Sequence, residues 1–196
     1  MTNATDRPPA LPRWANTALR LAVFALPAGF LGFPLLLMAW VRSPLITGVG
    51  EAVAQPIQFD HRHHVLDQGI PCTYCHDEAT RSANAGFPPT EVCAGCHAQV
   101  WRNADRLAPV RDSALLGEPL RWRQVLDLPD FVYFAHAPHL AAAVSCSECH
   151  GEVEDMPMVV RARAFTMAQC LACHRDDRWD AVAGVSPPTY CTGCHR

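Results

Sequence analysis

The stretch Cys72-Thr73-Tyr74-Cys75-His76 decides how this chain folds, because its spacing of two cysteines and a histidine occurs five times. The five motifs use all ten cysteines of the chain: Cys72, Cys75, Cys93, Cys96, Cys146, Cys149, Cys170, Cys173, Cys191 and Cys194. Cys-x-x-Cys-His is the attachment signature of c-type haem, in which the thiols form thioethers to the porphyrin and the histidine binds the iron. The sequence therefore predicts five covalently bound haem c groups, whose proximal iron ligands are His76, His97, His150, His174 and His195.

Two other uses of paired cysteines compete with haem attachment. Ten cysteines in a chain outside the cytoplasm could form a disulfide framework. Cys-x-x-Cys pairs also hold structural zinc. Neither use requires a histidine directly after every pair, so the sequence favours haem c over both.

Length and composition predict a fold without an ordinary apolar core. A chain of 196 residues that surrounds five porphyrins has too little polypeptide left to bury a large core of its own. Seventeen prolines and eleven glycines favour loops and short helices. We therefore expect a mostly irregular and α-helical multihaem cytochrome c wrapped around five haems, with one N-terminal transmembrane helix. The formal net charge of −3 gives no sign of a nucleic-acid partner.

An apolar segment near the N-terminus predicts a membrane anchor. Residues 21–41 carry no charged side chain, and Trp14 and Trp40 stand near the two ends of the run. At a helical rise of about 1.5 Å per residue such a segment spans about 30 Å, the thickness of the hydrocarbon layer. Tryptophan is enriched at membrane interfaces. The segment is therefore expected to cross the cytoplasmic membrane once and to contact lipid.

Flanking arginines predict the orientation of this anchor. Arg7, Arg13 and Arg20 precede the apolar run, whereas Arg42 alone closely follows it. This bias places the N-terminus in the cytoplasm and the haem region in the periplasm. The alternative is a cleaved signal peptide. The sequence favours a retained anchor, because the apolar run is longer than a typical signal core and Met38-Ala39-Trp40 makes a poor cleavage site.

The five histidines outside the haem motifs reveal an internal repeat. Phe59-x-His61-x-x-His64 and Phe134-x-His136-x-x-His139 each precede two successive haem motifs. Two histidines three positions apart point to one side of a helical turn or a tight loop. We expect each repeat to supply two distal ligands, one for the haem attached just downstream and one for its neighbour. The distal ligands of four haems are then His61, His64, His136 and His139, with the individual pairing left open.

One distal ligand is missing from this assignment. The candidates are His63, which has Pro138 at its matching position in the second repeat, and a methionine among Met156, Met158 and Met167. A methionine ligand raises the haem potential relative to a second imidazole. An open coordination position, which would allow small ligands to bind, is the third alternative.

These patterns divide the chain into consecutive regions. The order is a cytoplasmic N-terminal segment, the anchor, a linker, a first dihaem unit, a second linker, and a second dihaem unit with the fifth haem. Their predicted bounds are residues 1–20, 21–41, 42–58, 59–112, 113–130 and 131–196.

Sequence outside the haem motifs resembles a known family. The run Asp127-Leu128-Pro129-Asp130-Phe131-Val132-Tyr133-Phe134 is the most specific stretch. Together with residues 59–64, 88–97, 118–122 and 165–170, it is similar to the pentahaem cytochrome c subunit of alternative complex III. The similarity extends over about residues 55–196. Within it, Met167 lies in a segment that resembles the family's S-M-G-W-C, with Ala168-Gln169 in place of Gly-Trp, and is the best methionine candidate.

The resemblance implies a role in a quinol:electron acceptor oxidoreductase. The implied partners are a polytopic quinol-binding membrane subunit and an iron–sulfur, molybdopterin-enzyme-like subunit. The implied acceptor is a monohaem cytochrome c or a terminal oxidase. The chain itself is then an electron-transfer subunit and not an enzyme, because no residue of it makes or breaks a bond.

Two other functions remain open from the sequence. A free-standing membrane quinol dehydrogenase that feeds a periplasmic reductase also has a single span and periplasmic haems. A catalytic multihaem reductase would need an open haem iron, and the nearly complete set of histidine ligands argues against it.

Overall fold

The computed structural model describes residues 12–177 and 186–195. Arg7 and the other residues up to position 11, residues 178–185 of the loop before the last motif, and Arg196 lie outside the described residues. The chain divides into two compact units, Met1–Thr47 and Gly48–Arg196.

The first unit is dominated by one long helix. Helix α1 (Arg13–Val41) has 29 residues, contains Pro27 and Pro34, and begins after Pro12, which has an extended backbone. A short helix α2 (Pro44–Thr47) follows. Within the described part of the chain, α1 is the one helix long and apolar enough to cross a membrane, a property that a signal sequence near the N-terminus shares. The structure therefore contains a candidate anchor that begins ahead of the predicted residue 21.

The second unit consists of short helices joined by irregular segments. The helices are α3 (Cys72–Cys75), α4 (Thr90–His97), α5 (Ala108–Leu116), α6 (His136–Ala141), α7 (Cys146–His150) and α8 (Met167–His174). A π-helical turn covers His63–Asp67, and 3₁₀ turns cover Asp77–Thr80, Asp105–Leu107, Val153–Asp155 and Cys191–Gly193. Helices this short are not stable alone in water, so tertiary contacts must hold them.

Residues 12–177 and 186–195 contain no β-strand. Three isolated bridges pair Val49 with Arg161, Ala52 with Val160, and Val132 with His195. The predicted fold, mostly α-helical and irregular with one N-terminal apolar helix, is confirmed.

The apolar core of the described residues is very small. Its buried hydrophobic side chains are Ile57, Ala79, Leu107 and Val110, and no side chain is less than 2% exposed. Ile57, Leu107 and Val110 form one cluster, against which Cys93 and Trp122 pack. A unit of this length normally buries far more apolar surface. The structure therefore agrees with the expectation that porphyrins supply most of the core.

Local sequence explains where two of these helices begin or end. Thr166 and Gln169 form a capping box at the start of α8, with the Gln169 backbone N–H donating to Thr166 Oγ1 and the Thr166 backbone N–H donating to Gln169 Oε1. Helix α5 ends at Gly117, whose φ of 67° is left-handed and is readily adopted by glycine. These signals fix the start of α8, which carries Cys170 and Cys173, and the end of α5.

Candidate haem-binding sites

The five motifs define five sites, numbered here in chain order: site 1 (residues 72–76), site 2 (93–97), site 3 (146–150), site 4 (170–174) and site 5 (191–195). Sites 1 to 4 lie on or directly beside helices α3, α4, α7 and α8, and site 5 begins in a 3₁₀ turn. Cysteines three positions apart share one side of a helical turn. In every motif one cysteine is exposed and the other is half-buried, so each pair reaches the surface of the polypeptide.

The first Phe-x-His-x-x-His repeat forms a compact aromatic cluster. Phe59 stacks on His64 with ring centres 4.2 Å apart, and it meets the edge of His61 at 4.7 Å. His64 Nδ1 also lies 2.9 Å from the Asp60 carbonyl oxygen. The phenylalanine packs against both imidazoles, and the carbonyl orients that of His64.

The second repeat reproduces this geometry. Phe134 meets the edge of His136 at 4.9 Å and packs on His139 at 4.6 Å. His139 Nδ1 lies 2.7 Å from the Ala135 carbonyl oxygen, which corresponds to the Asp60 contact of the first repeat. The internal repeat in the sequence is therefore also a repeat in side-chain structure.

Three histidines of the repeats face histidines of the motifs at a nearly constant separation. The ring centres of His64 and His97 are 6.2 Å apart, those of His136 and His150 are also 6.2 Å apart, and those of His139 and His174 are 6.0 Å apart. A metal–imidazole bond is about 2 Å long, so two imidazoles on opposite sides of one iron have ring centres about 6 Å apart. These spacings fit a porphyrin iron held between each pair.

The fourth repeat histidine, His61, has His76 and His64 as near neighbours. Burial, together with the nearby His76 and His64 imidazoles, lowers the pKa of His61 to about 4. Burial also lowers the pKa of His139 and of His150. A neutral imidazole is the form that binds metal. Together these environments suit ligation at sites 1, 3 and 4.

Backbone carbonyls orient most of the motif histidines. The Nδ1 atoms lie within hydrogen-bond distance of carbonyl oxygens as follows: His76 to Gly86 (3.0 Å), His97 to Val100 (3.1 Å), His174 to Pro188 (2.7 Å) and His195 to Phe131 (3.2 Å). A histidine that donates from Nδ1 keeps its Nε2 lone pair for a metal. These imidazoles therefore have the tautomer and the orientation of iron ligands.

The structure gives His63 a different environment. Its Nδ1 lies 3.1 Å from Asp67 Oδ2, and its ring stacks on Trp101 with centres 5.2 Å apart. His63 thus interacts with a carboxylate and an indole on the surface of the π-helical turn, whereas the neighbouring His64 faces a motif histidine.

Site 5 is held by the segment just before the second repeat. His195 forms a bridge with Val132, and the Tyr133 backbone N–H donates to the Cys194 carbonyl at 2.8 Å. The ring of Phe131 lies beside that of His195, with ring centres 5.9 Å apart. Met167 is the first residue of α8 and is 66% exposed. The distal ligand of site 5 therefore stays a prediction.

The alternative of a zinc centre has no geometric support. Among residues 12–177 and 186–195, no group of three or more His, Cys, Asp or Glu side chains is arranged to hold a metal ion. Sites 2, 3 and 4 instead bring two cysteines together with a pair of imidazoles spaced for a haem iron.

Sequence reasoning did not identify the groups that orient the ligands. Phe59 and Phe134 were visible in the repeat pattern, and this regularity is the signal that could have revealed their packing role. The carbonyls of Gly86 and Pro188 have no such signal, because every residue carries a carbonyl group.

Two comparisons with known proteins indicate what the chain is similar to. Residues 132–196 match the family described as "Cytochrome c7 and related cytochrome c". The chain is also 29% identical, over 163 residues, to a protein of Nitratidesulfovibrio vulgaris (strain Hildenborough) named "Menaquinone reductase, multiheme cytochrome c subunit"; the match covers 72% of this chain and 77% of that relative. The chain is therefore similar to cytochromes c over residues 132–196, and to a multihaem cytochrome c subunit over most of its length.

Proposed function

We propose that this chain is the pentahaem electron-transfer subunit of a membrane complex that exchanges electrons with the quinone pool, of the alternative complex III type. The observation that carries the proposal is the facing of repeat and motif imidazoles at 6.0–6.2 Å. An iron with an imidazole on both sides has no open position for a substrate. Such sites transfer electrons and do not perform bond chemistry, so the chain is not itself the enzyme.

We assign the axial ligands of the first four haems from these neighbours. The pairs are His61 with His76, His64 with His97, His136 with His150, and His139 with His174. The two histidines of each repeat then bind different irons, which holds neighbouring haems close together. Haem c supplies an iron that alternates between the ferric and ferrous states, so each site passes one electron at a time.

The protein sets the properties of each site through the surroundings of the imidazoles. A hydrogen bond that Nδ1 donates to a carbonyl oxygen, as from His174 to Pro188, makes the imidazole a more basic ligand. Burial, as at His61 and His150, limits water access and shifts the potential. Potentials along the chain can therefore differ although the ligands of four sites are the same.

For the fifth haem, the proposed ligands are His195 and Met167. Met167 precedes Cys170 by one helical turn on α8, so the two residues share a face of that helix. Cys194 of site 5 is a near neighbour of Cys170. This arrangement supports Met167 over His63, which contacts Asp67 and Trp101.

The resemblance to alternative complex III supports specific partners and a location. These are a polytopic quinol-binding subunit, an iron–sulfur and molybdopterin-enzyme-like subunit, and a monohaem cytochrome c or terminal oxidase as acceptor. Helix α1 would anchor the chain in the cytoplasmic membrane with a cytoplasmic N-terminus and a periplasmic haem domain. The length and composition of α1 support this placement.

A second candidate has the opposite direction of electron flow. The relative from Nitratidesulfovibrio vulgaris is named as a subunit of a menaquinone reductase, and that name supports delivery of electrons to quinone instead of their removal from quinol. The same row of haems serves either direction, because the direction is set by the potentials of donor and acceptor.

Purification from native membranes in a mild detergent tests the proposed assembly. Mass spectrometry should find a polytopic membrane subunit and a large iron–sulfur subunit with this chain. The purified complex should reduce a cytochrome c when given quinol. Faster oxidation of a reduced cytochrome in the presence of quinone would favour the second candidate. Recovery of the chain alone, or with a soluble reductase only, would favour a free-standing quinol dehydrogenase.

Carbon monoxide binding tests whether every iron is six-coordinate. The reduced chain should bind well under one equivalent of carbon monoxide per molecule, because the proposed ligands would leave no iron with an open position. Binding of a full equivalent would contradict the ligand assignment of the fifth haem and support a catalytic reductase.

A further inference from the structure

We infer that the five sites form an unbranched row whose order in space is 2, 1, 3, 4, 5, so that sites 2 and 5 are its two ends. This order differs from the order of the motifs along the chain. It deepens the proposed function and rests on it in one respect: electrons that cross the protein would enter and leave at sites 2 and 5.

Sites 2 and 1 are neighbours through the first repeat. His64 faces His97 of site 2, and His61 has His76 of site 1 as a neighbour. Phe59 contacts both His61 and His64. Cys75 of site 1 is also close to cysteines of site 2. One turn of backbone therefore reaches both sites, which sets them side by side.

Sites 1 and 3 are neighbours through contacts between the loop after site 1 and the second repeat. The backbone N–H of His136 donates to the Ala83 carbonyl at 3.2 Å, and His136 Nδ1 lies 2.8 Å from the same oxygen. The Ala137 N–H donates to the Ser82 carbonyl at 3.3 Å. Ser82 and Ala83 follow site 1 closely, while His136 faces His150 of site 3. The loop after site 1 is thus the support for a site 3 imidazole.

Thiol contacts place the same two sites edge to edge. The side chains of Cys72 in site 1 and Cys146 in site 3 are close neighbours. His76 and His150 are also close enough to influence one another. Because each cysteine attaches to the porphyrin rim, adjacent cysteines bring the rims of two haems together.

Sites 3, 4 and 5 continue the row. Phe134 contacts both His136 and His139, which face site 3 and site 4 respectively. Cys149 of site 3 has Cys170 and Cys173 of site 4 as neighbours.

From site 4, the row passes to site 5 through Pro188. His174 Nδ1 lies 2.7 Å from the Pro188 carbonyl oxygen, and the Pro188 side chain packs against Gly193 inside site 5. Site 5 therefore follows site 4 at the end of the row.

The chemical meaning of this order is that site 1, although first along the chain, is an interior site. An electron passing from end to end would use site 1 as the link between the two repeats. Sites 2 and 5 can exchange electrons with partners directly, without transfer through another site.

Nuclear magnetic resonance of the reduced, full-length holoprotein in detergent tests the order. Reduced low-spin haems are diamagnetic, and nuclear Overhauser contacts between haem substituents identify neighbouring haems. The single variants His64→Met, His61→Met and His136→Met identify haems 2, 1 and 3, because each replaces one distal ligand by another that keeps the iron six-coordinate. Haem 4 is identified in the same way with His139→Met. The remaining set of haem resonances belongs to haem 5.

The expected contacts join haems 2 and 1, 1 and 3, 3 and 4, and 4 and 5. A contact between haems 2 and 3, with none between 1 and 3, would overturn the inferred order. If one variant fails to fold, the contacts in the unaltered protein still decide the position of haem 1 once that haem is identified. Haem 1 contacts two other haems if it lies inside the row, and one if it lies at an end. The measurement needs no quinone or partner subunit. The inferred order can therefore be wrong while the proposed function is right, and the proposed function can be wrong while the order is right.

Discussion

The contacts that orient the imidazole ring differ between His136 and His63. These contacts bear on which of the two histidines binds a haem iron. His136 donates toward the Ala83 carbonyl oxygen at 2.8 Å and faces His150 across 6.2 Å. His63 instead contacts the Asp67 carboxylate, and its side chain is 39% exposed. A ligand needs a fixed ring and a free Nε2 aimed at the metal. His136 meets this criterion and faces a motif histidine, whereas the ring contacts of His63 are with His64 and Trp101, so we propose His136 as a distal ligand.

Replacing His136 with alanine should remove one distal ligand and leave haem attachment intact. We expect the low-spin signal of one haem in five to be lost, because the iron opposite His150 becomes five-coordinate, while the thioethers of all sites still form. Electron paramagnetic resonance and haem staining after electrophoresis measure the two quantities. The His63→Ala variant is the matched control and should keep the full low-spin signal. Full low-spin intensity in His136→Ala would contradict its assignment.

Replacing Met167 with leucine should lower the highest haem potential of the protein. Leucine has a similar volume but no sulfur, so the variant preserves packing and loses the thioether that stabilises ferrous iron. A potentiometric titration followed in the visible spectrum measures the change. Met158→Leu is the control, since Met158 is also partly exposed and is not assigned to an iron. A titration curve identical to that of the unaltered protein would exclude Met167 as a ligand.

At the level of elements, the Phe-x-His-x-x-His repeat shows what sequence reasoning can reach. The Cys-x-x-Cys-His spacing predicts the attachment sites because thioether chemistry itself fixes that spacing. The repeat predicts four distal histidines because the number of free histidines is small. Their pairing, such as His64 with His97, depends on contacts far apart in the chain, which no local pattern encodes. Likewise the apolar run predicts a membrane span over residues 21–41, whereas α1 already begins at Arg13, after the extended backbone of Pro12.

The capping box of α8 should contribute measurably to the stability of site 4. Thr166→Ala removes the side chain that accepts from the Gln169 N–H, and loss of such a cap typically costs about 1 kcal/mol. Urea unfolding of the holoprotein, followed by circular dichroism in the haem absorption band, should show a lower midpoint. Thr166→Ser retains a hydroxyl group and should restore most of the loss. Equal midpoints for the alanine variant and the unaltered protein would show that α8 is held by haem attachment alone.

For the molecule as a whole, the buried imidazoles predict loss of stability in mild acid. Burial lowers the pKa of His61 from 6.5 to about 4 and also lowers the pKa of His139 and His150. Between these two values the unfolded chain binds more protons than the folded one, so stability is fully present above pH 6.5 and falls as the pH is lowered toward 4. Protons also compete with iron for each imidazole, which acts in the same direction. Urea midpoints of the holoprotein measured across this range should decrease, and a constant midpoint would contradict the burial of neutral ligands.

The small apolar core predicts that the second unit cannot fold without haem. Ile57, Leu107 and Val110 form its buried cluster within the described residues, and so little buried surface cannot offset the conformational entropy of ordering the unit. If the chain is produced without haem attachment, peptides from Gly48–Arg196 should exchange their amide hydrogens as fast as unstructured peptides do. Peptides from α1 in the same detergent sample provide the internal control and should remain protected, since that helix satisfies its own backbone bonds in an apolar medium. Protection in α4 and α5 without haem would mean that the cluster around Val110 folds first and prepares the chain for attachment.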